Sequence, residues 1–421
     1  MKLRTLSVFA ASAIIALGAC SNAPGSSGGG GGGRTVFIGI DLPQQGSELA
    51  GAEPVINGIQ LAIKDAGGKA GPYTVESPKS VNYDDAKDGK HDPNTGAQNM
   101  TALVGNDQVV AVIGPLNSNV AKVQIPISNE AGLLQCSPAT TNEGLTKPEF
   151  GAKDVRKTNP DKINFIRVVT TDDKQGPAAA KYILEVLKKT KVYIIDDTET
   201  FGKGIADNFS KYLTDNGGTL VQRDGIPSTV TDYSPYLTKA KAAAPEAIYF
   251  GGVTASGGAR ILKAAVQAGL GDIPFIGPDG IYDGGADTKD SFLNLAGDDA
   301  KNAFATAAAV GDYPGKAEFD AKYKAAYGKD PTGYSATGYA CAHVILNALG
   351  RAGDTADNKA LREKLRAAAV DPSITYTSVI GSFKFDANGD TSQLIISFYG
   401  YDATAKNWVF KSQLDFAAKA S

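Results

Sequence analysis

Histidine, cysteine and methionine are scarce in this chain, with 2 His, 3 Cys and 2 Met among 421 residues. So few imidazoles and thiols leave little material for a disulfide scaffold, a thiolate zinc site or a His-centred catalytic apparatus. An excess of one charge is lacking too: 42 Lys and Arg face 45 Asp and Glu, the net charge is −3, and no basic tract is present that could follow a phosphate backbone. Nucleic acid is therefore not expected as a partner. No segment repeats at a period of about 20–50 residues, and the 49 glycines are partly gathered in one tract, which excludes solenoids and collagen-like chains. What remains is globular composition, 42% hydrophobic and 21% charged, in a chain long enough for two or three domains. The balance leans from catalysis toward binding.

Residues 1–20 read MKLRTLSVFAASAIIALGAC, with Lys2 and Arg4 as a basic start and Leu6 to Leu17 as an apolar stretch. This pattern predicts an export signal over 1–19, too short to remain as a membrane span. Leu17-Gly18-Ala19-Cys20 resembles the lipobox of bacterial lipoproteins, which implies a diacylglycerol thioether on Cys20; an ordinary signal peptide cut near Ala19 is the plainer alternative. Residues 20–33 then form a Ser/Gly-rich tether that cannot bury a core. Loss of Lys2 and Arg4 takes the net charge from −3 to −5. The expected location is the cell envelope, facing the periplasm or the exterior, with the lipid holding the chain at a membrane it does not cross.

Beyond the tether, short β-branched runs alternate with helical periodicity, the pattern of parallel-sheet α/β domains. Val36 to Ile40, Tyr73 to Tyr83, Val109 to Ile113 and Leu133 to Cys136 read as strands of one doubly wound lobe. Val55, Ile59, Ala62 and Ile63 mark a helix that stops at Gly67-Gly68. A second series follows near Thr170, with a helix starting at Pro177 and strands over 192–195, 248–250 and 275–277. Segment 316–370 reads as helical again, and 379–411 as a hairpin turning at Asp386-Ala387-Asn388-Gly389. Two such lobes leave a cleft, and ligands in such sheets sit at the C-terminal ends of the strands.

Three corners carry polar chemistry. Strand 109–113 runs into Gly114-Pro115-Leu116-Asn117-Ser118-Asn119, where free N–H groups and the Ser118 hydroxyl suit a carboxylate, although plain helix capping by Ser118 or Asn119 explains the same residues. The strand ending near Cys136 gives way to Ser137-Pro138-Ala139-Thr140-Thr141-Asn142, a second hydroxyl-bearing corner. Asp279, in Phe275-Ile276-Gly277-Pro278-Asp279-Gly280, is either a turn residue or the partner of an ammonium group. Phe201, in FGKG over 201–204, either packs in a core or lays its ring over a ligand.

The ordered set IGPLNS (113–118), SPATT (137–141), QGPAAAKYILE (175–185), FGKG (201–204), YFGG (249–252) and IGPDG (276–280) resembles the leucine/isoleucine/valine-binding proteins of ABC importers, of the type I periplasmic-binding fold. The resemblance runs from about Val36 to beyond Phe398. It implies two doubly wound lobes, 34–169 with 307–390 and 170–306 with 391–416, joined by three hinge crossings near 170, 306 and 391. It implies that Ser118 and Thr141 hold an α-carboxylate, and that the Ala139 carbonyl and Asp279 take the α-ammonium. Asn117, Thr140, Phe201 and Val253 complete the expected site. Implied partners are a small amino acid, aliphatic or branched-chain, and the membrane subunits of an ABC permease, with the binding protein itself a monomer.

Some positions depart from the family pattern. Family members often carry tyrosine where this chain has Phe201 and Val253, and both cysteines of the family's small disulfide, at positions matching Lys87 and Asn117, are absent. An amide, urea or aromatic acid as cargo, or service as a ligand sensor, is the alternative these losses support. Cys136 and Cys341 are expected as buried small hydrophobes, with oxidation in the envelope as the alternative. Segment 85–93, DAKDGKHDP, gathers His91 and three aspartates but lacks the terminal glutamate of an EF-hand loop, so no metal is expected. His343 falls in a helical run and reads as a core residue. GGVTASGG lacks G-x-G-x-x-G order, FGKGI lacks the Ser or Thr of a P-loop, and no G-x-S-x-G elbow appears, so neither cofactor nor catalytic residue is expected.

Overall fold

The apolar runs sort into two sheets of seven strands each. The computed structural model describes residues 33–417, so the export signal, Cys20 and nearly all of the tether lie outside the described residues. In the first sheet, Thr35–Leu42 lies between Tyr73–Glu76 and Val109–Ile113, and Leu134–Ser137 and Phe165–Arg167 follow outward, all in parallel. Asn82–Asp84 joins the far end of Thr35–Leu42, and Lys69–Ala70 adds an antiparallel edge. The second sheet runs Thr219–Gly225, Lys191–Asp196, Ala247–Gly251, Phe275–Gly277 and Ala303–Ala307 in parallel, then Ile395–Asp402 and Asn407–Asp415 antiparallel. This is the expected α/β class with two parallel-dominated sheets. The chain passes between the sheets after Phe165–Arg167, after Ala303–Ala307 and before Ile395–Asp402.

Continuous apolar strands need cover on both faces. Glu48–Asp65 and Ser335–Ala352 supply it for the first sheet, packing Val55, Ile59, Val344 and Ile345 into the same core as Ile38, Ile40 and Ile113. Their contact depends on Gly58, where an added Cβ would meet the Ser335 carbonyl oxygen at 2.1 Å. The second core centres on Ile195, Ile248, Phe250, Phe275, Phe292 and Trp408. Each fully buried side chain of this size contributes about 1.5–3 kcal/mol. No helix of the described residues is long and apolar enough to cross a membrane.

Several expectations need correcting. Segment 73–83 is two strands, Tyr73–Glu76 and Asn82–Asp84, because Pro78 lacks the N–H to continue a ladder and opens the short turn Lys79–Val81. The helix expected at Pro177 begins at Asp172, with two acids in its first turn, and Pro177 lies inside it. Segment 379–411 is no single hairpin: Tyr376–Ser378 pairs with Gly381–Phe383, and Ile395–Asp402 with Asn407–Asp415. The Asp386 to Gly389 turn exists, closed by a 3.1 Å bond from the Gly389 N–H to the Asp386 carbonyl, and places Asp390 beside Arg167. Cys136 and Cys341 are buried but form a disulfide, Cα to Cα 5.7 Å. Strand Leu134–Ser137 and helix Ser335–Ala352 bring together two cysteines separated by 205 positions, a pairing that sequence spacing does not reveal. His343 is only half-buried on that helix, not in the core.

Candidate functional site

The strand ends of both sheets open onto one cavity of about 80 Å³, the size of a single small solute. Of the residues anticipated from sequence, Asn117, Ser118, Ala139, Thr141, Phe201, Val253 and Asp279 line it together. Thr140 does not: its hydroxyl is buried without a partner among the described residues, its N–H bonds Ser137 Oγ at 2.9 Å, and its carbonyl accepts from Arg167 at 3.1 Å. It shapes the corner from behind.

Each corner follows from local chain chemistry. Strand Val109–Ile113 ends at Gly114, whose φ of 134° and 2.0 Å virtual Cβ contact with the Asp41 carbonyl admit no side chain. The turn delivers Asn117 as the N-cap of helix Ser118–Glu130, so Ser118 occupies the first turn and caps nothing. Its Oγ instead accepts from the Asn142 N–H at 3.4 Å. Asn117 Oδ1 is buried and has no hydrogen-bond partner among the described residues. The second corner, 139–142, is braced by Arg167, which is fully buried and donates from Nε to Asp390 at 2.6 Å and from a terminal nitrogen to the Asn142 carbonyl at 2.8 Å.

Opposite stands Asp279, opening the short helix Asp279–Ile281 after strand Phe275–Gly277. Gln175 donates to one carboxylate oxygen and Tyr334 to the other, each at 2.7 Å. Burial pushes its pKa up to about 6, while those two hydrogen bonds pull it down. Phe201 sits in the first turn of helix Thr200–Asp215, half-buried, with its ring on the cavity.

Sequence reasoning missed Glu48, Asp283 and Tyr334, which also line the cavity. Asp283 lies four positions past Asp279 and could have been flagged by that spacing; Glu48 reads only as a helix-start acid, and nothing local marks Tyr334. Asp283 accepts from the Phe292 N–H at 2.9 Å, and burial pushes its pKa up to about 7. Among the described residues no lysine, arginine or histidine lines the cavity.

The cavity rim is crossed by polar ties between elements of the two sheets. His91 places Nδ1 2.6 Å from Glu48 and Nε2 2.7 Å from Glu199. Asn119 donates to the same Glu199 carboxylate at 2.9 Å, and Lys90 to the Ser228 carbonyl at 2.9 Å. The acidic loop around His91 therefore serves as a contact. No group of three or more His, Cys, Asp or Glu among the described residues is placed to hold a metal ion.

Two parallel-dominated sheets meeting at a solute-sized cavity define a binding protein of the two-sheet α/β kind. The family model for periplasmic binding proteins matches residues 35–404, and the chain belongs to that family. A Leu/Ile/Val-binding protein homolog of Brucella abortus is 30% identical over 362 residues, covering 85% of this chain and 88% of the relative. A leucine-binding protein of Thermotoga maritima shares the fold with a TM-score of 0.76 at 24% identity, covering 90% of this chain and 99% of that one. A solute-binding protein of an ABC transporter from R. palustris, in complex with benzoate, shares it with a TM-score of 0.75 at 20% identity, covering 92% and 98%.

Proposed function

We propose that this protein is the extracytoplasmic solute-binding component of an ABC importer and captures an amino acid between two lobes, 34–169 with 307–390 and 170–306 with 391–416. The observation that carries this reading is the opposition of Asp279 to the Ser118 and Thr141 hydroxyls in one cavity without a cationic side chain among the described residues. A zwitterion matches both sides: its carboxylate takes the hydroxyls and N–H groups, and its ammonium neutralises Asp279. Benzoate, or any aromatic acid without an ammonium group, would bring a second negative charge toward a buried carboxylate, which costs several kcal/mol.

Thr170 supports hinge bending, since its N–H donates to the Ala308 carbonyl at 2.8 Å and its hydroxyl to the Ile395 carbonyl at 2.9 Å, tying the three passages together. A ligand that bridges both lobes favours the closed arrangement. The lipid on Cys20 would hold the protein near its permease. Mass spectrometry of the small molecule that co-purifies, with calorimetry on an amino-acid and aromatic-acid panel, tests the assignment. An amino acid is expected; binding of aromatic acids alone would overturn it.

A further inference from the structure

Asp279 is not the only acid on the cavity. Glu48, from the helix after the first strand, and Asp283 share it, each less than one-tenth exposed. Glu48 is engaged by His91. Asp283 accepts from the Phe292 N–H, from the Thr254 hydroxyl and from its own N–H, all neutral donors, and forms no ion pair with a described Lys, Arg or His. Asn117 adds an amide oxygen, buried and without a hydrogen-bond partner among the described residues. These are acceptors, and they outnumber what one α-ammonium group can satisfy once Asp279 has been served. An aliphatic side chain seated there would leave the Asp283 carboxylate buried without a counter-charge and the Asn117 oxygen without a donor.

Resting on the amino-acid reading above, we infer that the solute carries a second ammonium group on a short side chain, held by Asp283 with Asn117 and Glu48 beside it. The substrate class is then small dibasic amino acids, not branched aliphatic ones. The solute's net positive charge offsets the acids of the cavity. Burial and the nearby Glu48 charge push the Asp283 pKa up, the cost that a second ammonium would relieve.

Norvaline and 2,4-diaminobutyrate test this directly, being the same size and shape with a terminal methyl in one replaced by an ammonium in the other. Calorimetry on the full chain at neutral pH is expected to give diaminobutyrate the higher affinity by about tenfold or more, the scale of one charge-assisted hydrogen bond. Asp283→Asn, which keeps an acceptor for Phe292, is expected to abolish most of that preference. Norvaline binding as tightly as diaminobutyrate in the unmodified protein overturns the inference whether or not the variant folds, and leaves the amino-acid reading intact. A preference that survives Asp283→Asn overturns the role of Asp283. If neither amino acid binds and benzoate does, the amino-acid reading itself falls, and this inference with it.

Discussion

Tyr334, next to the helix that covers the first sheet, donates its hydroxyl to Asp279 of the second sheet at 2.7 Å. The bond joins elements of the two sheets at the carboxylate proposed for the ligand's ammonium. Asp279→Ala should remove the ammonium's counter-charge and weaken amino-acid binding by roughly 10²- to 10⁴-fold, the range for breaking a buried ion pair. Unchanged affinity in calorimetry would remove Asp279 from the site.

The same carboxylate predicts a pH dependence. Its pKa is raised to about 6, and only the ionised form pairs with an ammonium. For a ligand with one ammonium group, affinity should be flat above about pH 6 and fall roughly tenfold per unit below it. A dibasic ligand should begin to weaken already below about pH 7, where Asp283 takes up its proton. A titration of affinity between pH 4.5 and 8 checks this; an affinity that rises on acidification contradicts it.

His91 gives a second dependence with its own sign. Burial alone would lower its pKa, but the Glu48 charge and the hydrogen bonds to Glu199 and Glu48 outweigh that and raise it well above the ordinary histidine value; the carboxylates of Asp85, Asp92 and Asp197 are close enough to interact with its charge. A raised folded pKa means stability fully present below about pH 6.5 and lost as pH climbs through the raised value. His91→Gln should therefore cost about 1–3 kcal/mol at about pH 6, where the charged hydrogen bonds are at full strength. In denaturant melts the gap between the two proteins should close at alkaline pH; a gap that widens there refutes the pairing.

Strands and corners were legible because each rests on neighbouring residues: β-branched runs such as 109–113 and 192–195, and turn chemistry at Gly114-Pro115 and Pro278-Asp279. The contacts that finish the site join residues far apart in the chain. Tyr334 meets Asp279 across 55 positions, His91 meets Glu199 across 108, and Arg167 meets Asp390 across 223. No periodicity encodes such pairs, because only the packing of helices onto the sheets sets their distance. Thr140 fails for a related reason: the non-strand corner after Ser137 turns Ala139 and Thr141 to the cavity and Thr140 away from it, which no sequence period encodes.

The Cys136 to Cys341 disulfide ties a strand of the first sheet to its covering helix and closes a loop of 205 positions. Loops this long gain most from cross-linking, and loss of a native bridge costs about 2–5 kcal/mol. A Cys136→Ala, Cys341→Ala protein should show a denaturant midpoint lowered to match, and added reductant should leave that midpoint unmoved while lowering the parent's. Equal midpoints for parent and double variant would mean the bridge does not contribute.

Arg167 decides whether the 139–142 corner keeps its shape. Its guanidinium has no solvent contact and bonds Asp390, the Thr146 hydroxyl, and the carbonyls of Thr140 and Asn142 on either side of Thr141. Arg167→Met fills much of the same volume but leaves Asp390 buried without its charge partner, which costs about 3–5 kcal/mol. Replacing Asp390 by asparagine in the same chain removes the stranded charge and should recover part of that stability. Binding is expected to respond differently: the double variant regains stability while its affinity stays low, because nothing restores the two carbonyl bonds that fix Thr141. Comparing melts with calorimetry across the single and double variants separates these effects, and joint recovery of affinity and stability would show that Arg167 supports the fold without positioning the ligand corner.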